Sequence, residues 1–460
     1  MQSSVMQKLR WPLCLLVGTL AYIISSGQAQ EVAFFWGVTS LVIAAMALEV
    51  LPFSLIGVLL PTLYIVLGIT TPKIAFLPWI GVIPWLFIAG MLIGNLMENT
   101  GLSRRIVFWL VSSVGTSPIR LFLALMIGGY ILGMLIPDAF TTVIITVTLA
   151  KTLCDRLGFE KKSREANILL FMGYFAGSTC QTMYYTNTLG IVAGEMLAPK
   201  GVVFTWLGFA GDNCIPTFLM SAVSMAILAL FFTPSLREKI TENIGTLRKD
   251  LKDMGRISAP EVRTLIIGIC AVAAYITEVW HGIPGVFAFL FVVCLGFTPI
   301  LPVFGEKDMT KLNYGIIIFC TGCMSIGVVA GELGIASWIA QSIVPMLDGV
   351  ENPTLLALTS YLLGFVLNFI LTPLAASTSM SLPLWEIATS LEIALKPVIY
   401  SFLYGLEQVI LPYEYAIILY MYSTGYVSLR FFIMIMALRF IGAAMVIAFA
   451  SSIVWPMVGM

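Results

Sequence analysis

Long apolar runs separated by short polar breaks dominate the pattern of this chain. The runs last about 17 to 25 residues, the length that an α-helix needs to cross the hydrocarbon core of a bilayer. Strands of a membrane barrel would instead alternate apolar and polar residues over about ten residues. The pattern therefore predicts an all-α polytopic membrane protein.

The segment 119–150 has apolar arms on both sides of Pro137 and Asp138, and two basic residues, Arg120 and Lys151, flank it. Because basic residues concentrate on the cytoplasmic side of a membrane, both ends of this segment are expected on that side. The pattern favours a re-entrant hairpin, whose tip requires surrounding protein or a wet cavity at membrane depth. A single proline-kinked span is simpler, but it would place the basic loop that follows on the wrong side.

Residues 354–391 repeat the proline-interrupted pattern, with Pro373 at the tip and few positive charges nearby. This scarcity of lysine and arginine predicts a second hairpin that enters the membrane from the external side. Each hairpin is followed by an apolar segment with a polar middle, at 166–197 and at 396–423, which predicts a broken helix. Interrupted segments at corresponding places of two halves indicate a transport site. The alternative is that the hydroxyl side chains only join neighbouring helices.

The repeated pattern divides the chain into two halves of opposite orientation. N-terminal scaffold helices occupy residues 1–70, the first repeat occupies 71–232 and the second occupies 264–460. The charged stretch 233–263 is expected to link the halves in the cytoplasm. We therefore expect two inverted repeats with about 11 transmembrane helices and two re-entrant hairpins.

Composition agrees with this picture, since 59% of the 460 residues are hydrophobic and only 10% are charged. Soluble domains of this size are less apolar. Of the 24 lysines and arginines, 12 fall within 151–164 and 237–263, which the positive-inside rule places in the cytoplasm. The net charge is zero and no basic patch with interleaved aromatic residues is present, so nucleic-acid binding has no support.

The start of the chain allows two interpretations. Lys8 and Arg10 precede an apolar run that ends in small residues at 25–29, and this order resembles a cleavable signal peptide. The preferred interpretation is a retained first helix. It places the N terminus in the cytoplasm of a multi-pass protein of the inner or plasma membrane.

The eight cysteines are scattered, mostly through apolar runs, and predict no disulfide framework. Cys320 and Cys323 have the spacing of a redox or zinc pair, but their mid-helix position favours a close-packed helix face. The chain has one histidine, His281, expected in a short loop, and no HExxH or GxSxG pattern. An enzyme would need a nucleophile with a base, or a metal cluster, so we expect no enzymatic activity and no cofactor.

Several motifs resemble those of the divalent anion:sodium symporters, which carry dicarboxylates, citrate or sulfate. They lie at residues 46–52, 59–61, 97–106 and 114–118, and in the linker at 247–255. The similarity covers nearly the full chain. It implies a homodimer of inverted repeats in the lipid bilayer, with a scaffold domain, a moving transport domain, an elevator-like mechanism and a small anionic substrate.

The chain departs from this family at both hairpin tips. The family carries Ser-Asn-Thr there, whereas the matching positions read Pro-Asp-Ala at 137–139 and Pro-Leu-Ala at 373–375. The family's Thr-Pro-Pro-Asn-like break in each following helix survives only as Gly190 and Pro412 nearby. The resemblance therefore extends to the fold and does not identify the substrate or the coupling ion.

The polar residues of the tips and breaks form the candidate site, because hydroxyls donate to anions and helix N termini add positive dipole ends. The predicted substrate-binding residues are Asp138, Ala139, Thr141, Thr142, Thr186, Asn187, Thr188, Ala375, Ser377, Thr378 and Ser379. The predicted ion-coupling residues are Asp138, Ser178, Gln181, Thr182, Glu407 and Glu414. Sodium bound near Pro137 and Pro373 is the metal-ion alternative.

Asp138 stands where the family has an amide, and an ionised carboxylate would repel a dianion. Burial favours the protonated form of an acid, so Asp138 is a candidate proton carrier, and Glu407 and Glu414 offer the same chemistry. The hypothesis is that protons replace or assist sodium. The structural alternatives are that Asp138 caps the helix that follows it and that Glu414 lies at the water interface.

These features favour a secondary active transporter of small anions such as di- or tricarboxylates or sulfate, either ion-coupled or an exchanger. A cation/proton antiporter of the same broad superfamily is the alternative, and a membrane-embedded enzyme has less support. Arg430 and Arg439 are expected to reach the interface or to pair with Glu407. Asp212 and Asn213 are expected to start a helix.

Overall fold

A computed structural model describes most of the chain, and its described residues form helices, turns and irregular segments without any β-strand. The all-α prediction is thereby confirmed for this part of the chain. The described residues are 2–48, 50–81, 83–106, 109, 117–136, 139–185, 187–242, 255–335, 338, 352–369, 371, 373–411 and 415–460.

Nine longer helices lie in the described residues before the central linker. They are α1 (Gln2–Ser25), α2 (Gln30–Ala47), α3 (Phe53–Val66), α4 (Ile83–Thr100), α5 (Pro118–Leu135), α6 (Ala139–Arg156), α7 (Arg164–Ser178), α8 (Thr188–Leu197) and α9 (Trp206–Ala229). A short helix, Pro72–Ala75, and three 3₁₀ turns, Leu77–Trp79, Thr179–Met183 and Ala198–Lys200, connect some of them.

Nine more begin at Ala259 or later, so the first of them starts inside the predicted linker. They are α10 (Ala259–Ile276), α11 (Gly285–Leu295), α12 (Tyr314–Cys323), α13 (Ser325–Glu332), α14 (Pro353–Leu367), α15 (Pro373–Ser390), α16 (Leu395–Leu406), α17 (Ala416–Ser423) and α18 (Leu429–Phe449). Short helices occupy Glu278–His281 and Glu306–Thr310, and a π-helical turn, Ala450–Val454, leads from α18 into Trp455–Met457.

Four helices of the described residues are long and apolar enough to cross a membrane, namely α5, α9, α10 and the continuous helix Leu429–Met457. Six further apolar helices are shorter, among them α14 and α11. The prediction of a multi-pass membrane protein agrees with these lengths. The count of about 11 transmembrane helices stays a prediction.

Close backbone contact joins α3 to α12, where a Cβ added to Gly322 would lie 1.8 Å from the carbonyl oxygen of Gly57. Only glycine allows two helices to approach this closely. The motif of Cys320 and Cys323 lies on this helix, and Cys323 is buried as a free thiol. The interpretation of this motif as a close-packed helix face therefore agrees with the structure.

The proline-interrupted segments each form two helices, α5 with α6 and α14 with α15. Ser117 accepts a hydrogen bond from the backbone N–H of Arg120 at the start of α5, and Asn352 accepts two at the start of α14. Such side-chain caps satisfy backbone donors that have no partner inside the helix. Both helices of each pair pack against the helix that follows, α7 in the first half and α16 in the second.

After its interruption, each broken helix packs against the other half of the molecule. The segment α8 lies against α15 of the second helix pair, and α17 lies against α6 of the first pair. The two breaks are thus brought towards each other, between the two helix pairs. The candidate site lies between these packed segments.

Candidate functional site

The first break follows the end of α7 at Ser178. A 3₁₀ turn continues to Met183, and α8 begins at Thr188. The side chain of Asn187 caps α8, because its Oδ1 accepts a hydrogen bond of 3.1 Å from the backbone N–H of Leu189. Asparagine is among the best capping residues, so its position accounts for the restart of the helix here.

A buried hydrogen bond connects the first helix pair to this break. Gln181 donates from Nε2 to Oγ1 of Thr142 over 3.1 Å, and both side chains have no exposed surface. Two predicted residues, one assigned to coupling and one to the substrate, are therefore in contact.

A chain of hydroxyls runs from the first break into the second half. Thr182 Oγ1 lies 3.0 Å from Thr217 Oγ1, and the latter lies 3.1 Å from the Tyr404 hydroxyl on α16. Thr182 was predicted from the sequence, whereas Thr217 and Tyr404 were not. Neither Thr217 nor Tyr404 stands in a dense polar run, so their contact could not be predicted from local pattern.

The second break begins at Glu407, which follows the last residue of α16 and is only 6% exposed. Asn187 donates from Nδ2 to Glu407 Oε1 over 3.3 Å. This contact joins the two breaks directly, over a sequence separation of 220 residues. It brings together a predicted substrate-binding residue and a predicted ion-coupling residue.

The second helix pair approaches the same place through Ser377, whose Oγ donates to the carbonyl oxygen of Leu189 over 3.1 Å. Thr378 and Ser379 instead donate to carbonyl oxygens of their own helix, at 2.9 and 2.8 Å from Ala375 O. A hydroxyl that has given its hydrogen to the backbone still offers lone pairs. The remaining lone pairs of Thr378 and Ser379 therefore suit a cation better than an anion.

Several buried side-chain atoms around the breaks have no hydrogen-bond partner among the described residues. They include Oγ1 of Thr179 and the amide oxygens of Gln181, Asn368 and Gln408. The amide nitrogens are used, since Asn368 Nδ2 donates to the carbonyl oxygens of Leu406 and Gln408 at 2.9 Å each. An unsatisfied buried polar atom costs about 1 to 3 kcal/mol, and a bound ligand or water relieves that cost.

The other predicted site residues divide into two groups. Ala139 and Ala375 are buried at the first turns of α6 and α15, Pro373 is the first residue of α15, and Ser178 is buried at the end of α7. Thr141 and Thr188 are half-buried. Pro137, Asp138, Thr186 and Glu414 lie outside the described residues.

No group of three or more His, Cys, Asp and Glu side chains that could hold a metal ion occurs among the residues that the structure describes. His281 ends the short helix Glu278–His281, and its Nε2 lies 2.9 Å from the carbonyl oxygen of Ala274.

The expectation that Asp212 starts a helix is wrong. The helix α9 begins at Trp206, where Thr205 accepts a hydrogen bond from the backbone N–H of Gly208. Asp212 lies in the second turn, and its Oδ2 accepts from Lys396 Nζ at 2.8 Å and from the Tyr400 hydroxyl at 2.7 Å. This cluster ties α9 to the start of α16.

We predict a measurable coupling energy between Asp212 and Lys396. Lys396 is 40% exposed and Asp212 13%, so the pair is partly screened and its coupling is expected at about 0.5 to 1 kcal/mol. A double-mutant cycle with Asp212→Asn and Lys396→Met, followed by thermal unfolding in detergent, measures it. The more exposed pair Asp308 and Lys311 is the control and should couple less. Additive effects at Asp212 and Lys396 would contradict the prediction.

Of the two positions expected for Arg439, the interface is wrong, whereas a contact with Glu407 is present. Arg439 is 1% exposed and does not reach the interface, and its Nη1 donates to the backbone carbonyl oxygen of Glu407 over 3.2 Å. The expected pairing with Glu407 therefore involves the backbone. Arg430 is exposed at the start of the same helix.

Comparison with known proteins assigns the chain to a family. The model of the citrate transporter family (CitMHS) matches residues 5–405. A membrane protein of Cupriavidus necator is 24% identical over 263 residues, which cover 56% of this chain and 50% of that protein. The chain thus spans about half the length of this curated relative. Since the family match extends over most of the chain, the protein belongs to the citrate transporter family, whose members are transporters and not enzymes.

Proposed function

We propose that the protein is a secondary active transporter of citrate and related di- or tricarboxylate anions, and that it binds them between the two breaks. The contact of Asn187 with Glu407 carries this proposal, because it joins the breaks of both halves in one buried place. Transporters bind their substrates near the membrane midplane, at the junction of interrupted helices.

The donor groups around this contact suit a carboxylate, whereas the carboxylate of Glu407 opposes its binding. The start of α8 offers the positive end of a ten-residue helix. The hydroxyl groups of Thr217 and Tyr404 lie 3.1 Å apart and can rotate to donate to an anion, whereas Thr182 donates to the carbonyl oxygen of Thr179 over 2.8 Å. The amide of Asn187 adds donors at the same place.

The transport cycle that we propose is an alternating-access movement of elevator type, with the two helix pairs as re-entrant hairpins of inverted repeats. The crossed packing of α8 on α15 and of α17 on α6 supports this arrangement. In the same proposal the protein forms a homodimer in the inner or plasma membrane, with its N terminus in the cytoplasm.

The coupling ion is a proton or sodium. Buried acids, such as Glu407, suit a proton, whereas the hydroxyl lone pairs of Thr378 and Ser379 near Pro373 suit sodium. Besides coupling to protons or to sodium, exchange of one anion for another is the third mode of transport in this proposal.

Uptake into proteoliposomes tests the proposed function. Labelled citrate, succinate and sulfate should be offered with sodium gradients and proton gradients imposed separately, and with internal unlabelled citrate to detect exchange. We expect citrate uptake above that of empty liposomes. Silence for all three anions would overturn the proposal, and cation/proton exchange by the same preparation would favour the antiporter alternative.

The variant Asp138→Asn tests proton coupling at the first interruption. If Asp138 carries the proton, this variant should transport the anion without responding to an imposed pH gradient, because an amide does not titrate. The measurement is initial uptake with and without the gradient, compared with Glu407→Gln. A full response to the gradient in Asp138→Asn would show that Asp138 is not the proton carrier.

A further inference from the structure

Arg439 is a buried cation in the middle of the last long helix. It lies within α18 (Leu429–Phe449), part of a helix long and apolar enough to span the membrane, and it is 1% exposed. An arginine at the centre of a membrane span costs about 2.5 to 3.5 kcal/mol on insertion scales, so such residues usually have a functional role.

The contacts of Arg439 direct its charge at the second break. Its Nη1 donates to the Glu407 carbonyl oxygen over 3.2 Å, and its guanidinium carbon lies 5.2 Å from the centre of the Phe175 ring on α7. Its Nε is buried and has no hydrogen-bond partner among the described residues. Five donors are available on a guanidinium, so this side chain is only partly satisfied.

Arg439 forms no direct ion pair with another described residue. In the described part of the chain, salt bridges join Arg105 with Glu261, Lys311 with Asp308 and Lys396 with Asp212. The carboxylate of Glu407 lies near enough to Arg439 to interact electrostatically, but its Oε1 accepts from Asn187. Among the described residues, the other ionisable groups that face this pair are uncharged side chains, Tyr174, Tyr361, Tyr404 and Cys180.

We propose that Arg439 determines specificity for multivalent anions, and that Glu407 opposes it. Arg439 acts at a distance, through its positive charge behind the second break, and Glu407 contributes the negative charge that limits the attraction. Coulomb energy is proportional to the charge of the ligand, and it is large where water is excluded. Arg439 therefore favours an anion with three carboxylates over one with two, and Glu407 weakens this preference. This inference rests on the proposed function.

A purely structural role is the competing explanation. Glu407 is the C-terminal cap of α16, and a cation beside the last carbonyl groups stabilises a helix end. That role would weaken the binding of all anions equally when Arg439 is lost. A charge-selecting role predicts instead that the loss increases with the valence of the anion.

The experiment measures competition against labelled citrate in proteoliposomes at about pH 8, where carboxylic acids are ionised. The competitors are citrate, succinate and acetate. In Arg439→Gln we expect the inhibition constant to rise by about tenfold for each carboxylate of the competitor. Arg439→Lys keeps the charge and should restore most of the preference. Arg430→Gln, which removes an exposed arginine of the same helix, is the control and should leave the preference unchanged.

Glu407→Gln removes a negative charge and not a positive one, so the opposite effect on the inhibition constants is expected. This test does not depend on the stability of the Arg439 variants. The substitution should lower the inhibition constants, most strongly for citrate. An equal change for all three competitors, in either the Arg439→Gln or the Glu407→Gln variant, would overturn the inference. If wild-type protein transports no carboxylate at all, the proposed function fails. If wild-type protein transports citrate but the change in inhibition constant does not increase with the number of carboxylates, only the inference about Arg439 fails.

Discussion

Replacing Gly129 with alanine is expected to destabilise the protein by about 3 kcal/mol or more. The added Cβ would lie 1.8 Å from the carbonyl oxygen of Ala176 and 2.6 Å from its carbonyl carbon. Both atoms belong to the backbone of α7, so no side-chain rotation relieves the clash and the helices α5 and α7 must separate. Because α7 leads directly into the first break, this separation also displaces the site. Thermal unfolding in detergent and the monodisperse fraction after size exclusion measure the effect.

Gly211→Ala is the matched control on α9. A Cβ added there meets nothing within 4 Å, and alanine is preferred over glycine inside a helix by about 1 kcal/mol. The control variant should therefore equal or exceed the wild type in stability. Equal stability of Gly129→Ala and Gly211→Ala would mean that α5 and α7 do not touch as closely as described.

The interrupted helices could be predicted from the sequence because their signals are local. Proline removes a backbone donor and disfavours the helical conformation of the residue before it, and Pro373 is the first residue of α15. A dense polar stretch likewise marks the first break, where the side chain of Asn187 ends up as a helix cap. In both places the cause lies within a few residues of its effect.

The partner of Asp212 could not be predicted, because the contact depends on tertiary packing. Lys396 lies 184 residues from Asp212, and nothing near either residue indicates the other. Aspartate is a frequent helix cap, which made Asp212 a reasonable start for α9, but Thr205 occupies that position. The fold decides which of two suitable residues acts as the cap.

The direction in which the hydroxyls of the second helix pair donate could not be predicted from the sequence either. Thr378 and Ser379 were predicted to bind the substrate, a role that stays a prediction. Their hydrogens point to carbonyl oxygens of α15, because a hydroxyl in an apolar helix satisfies itself on the preceding turn. Composition reveals that a hydroxyl is present, whereas its direction depends on the local geometry.

Asn187→Ala is expected to reduce citrate uptake by at least about tenfold, since one buried side chain performs two tasks. Its Oδ1 caps α8 and its Nδ2 donates to Glu407, so alanine removes both and leaves a buried carboxylate oxygen without this donor. The loss of the cap alone should lower the free energy of unfolding by about 1 kcal/mol.

Asn187→Ser separates these tasks. Serine caps a helix about as well as asparagine, but its hydroxyl is too short to replace the amide that reaches Glu407. We therefore expect Asn187→Ser to unfold at nearly the wild-type temperature and yet to share the transport defect of Asn187→Ala. Initial uptake rates and thermal unfolding of both variants give the answer. Wild-type transport by Asn187→Ser would show that Asn187 acts only as a helix cap. The contact with Glu407 would then not support the position of the proposed binding site.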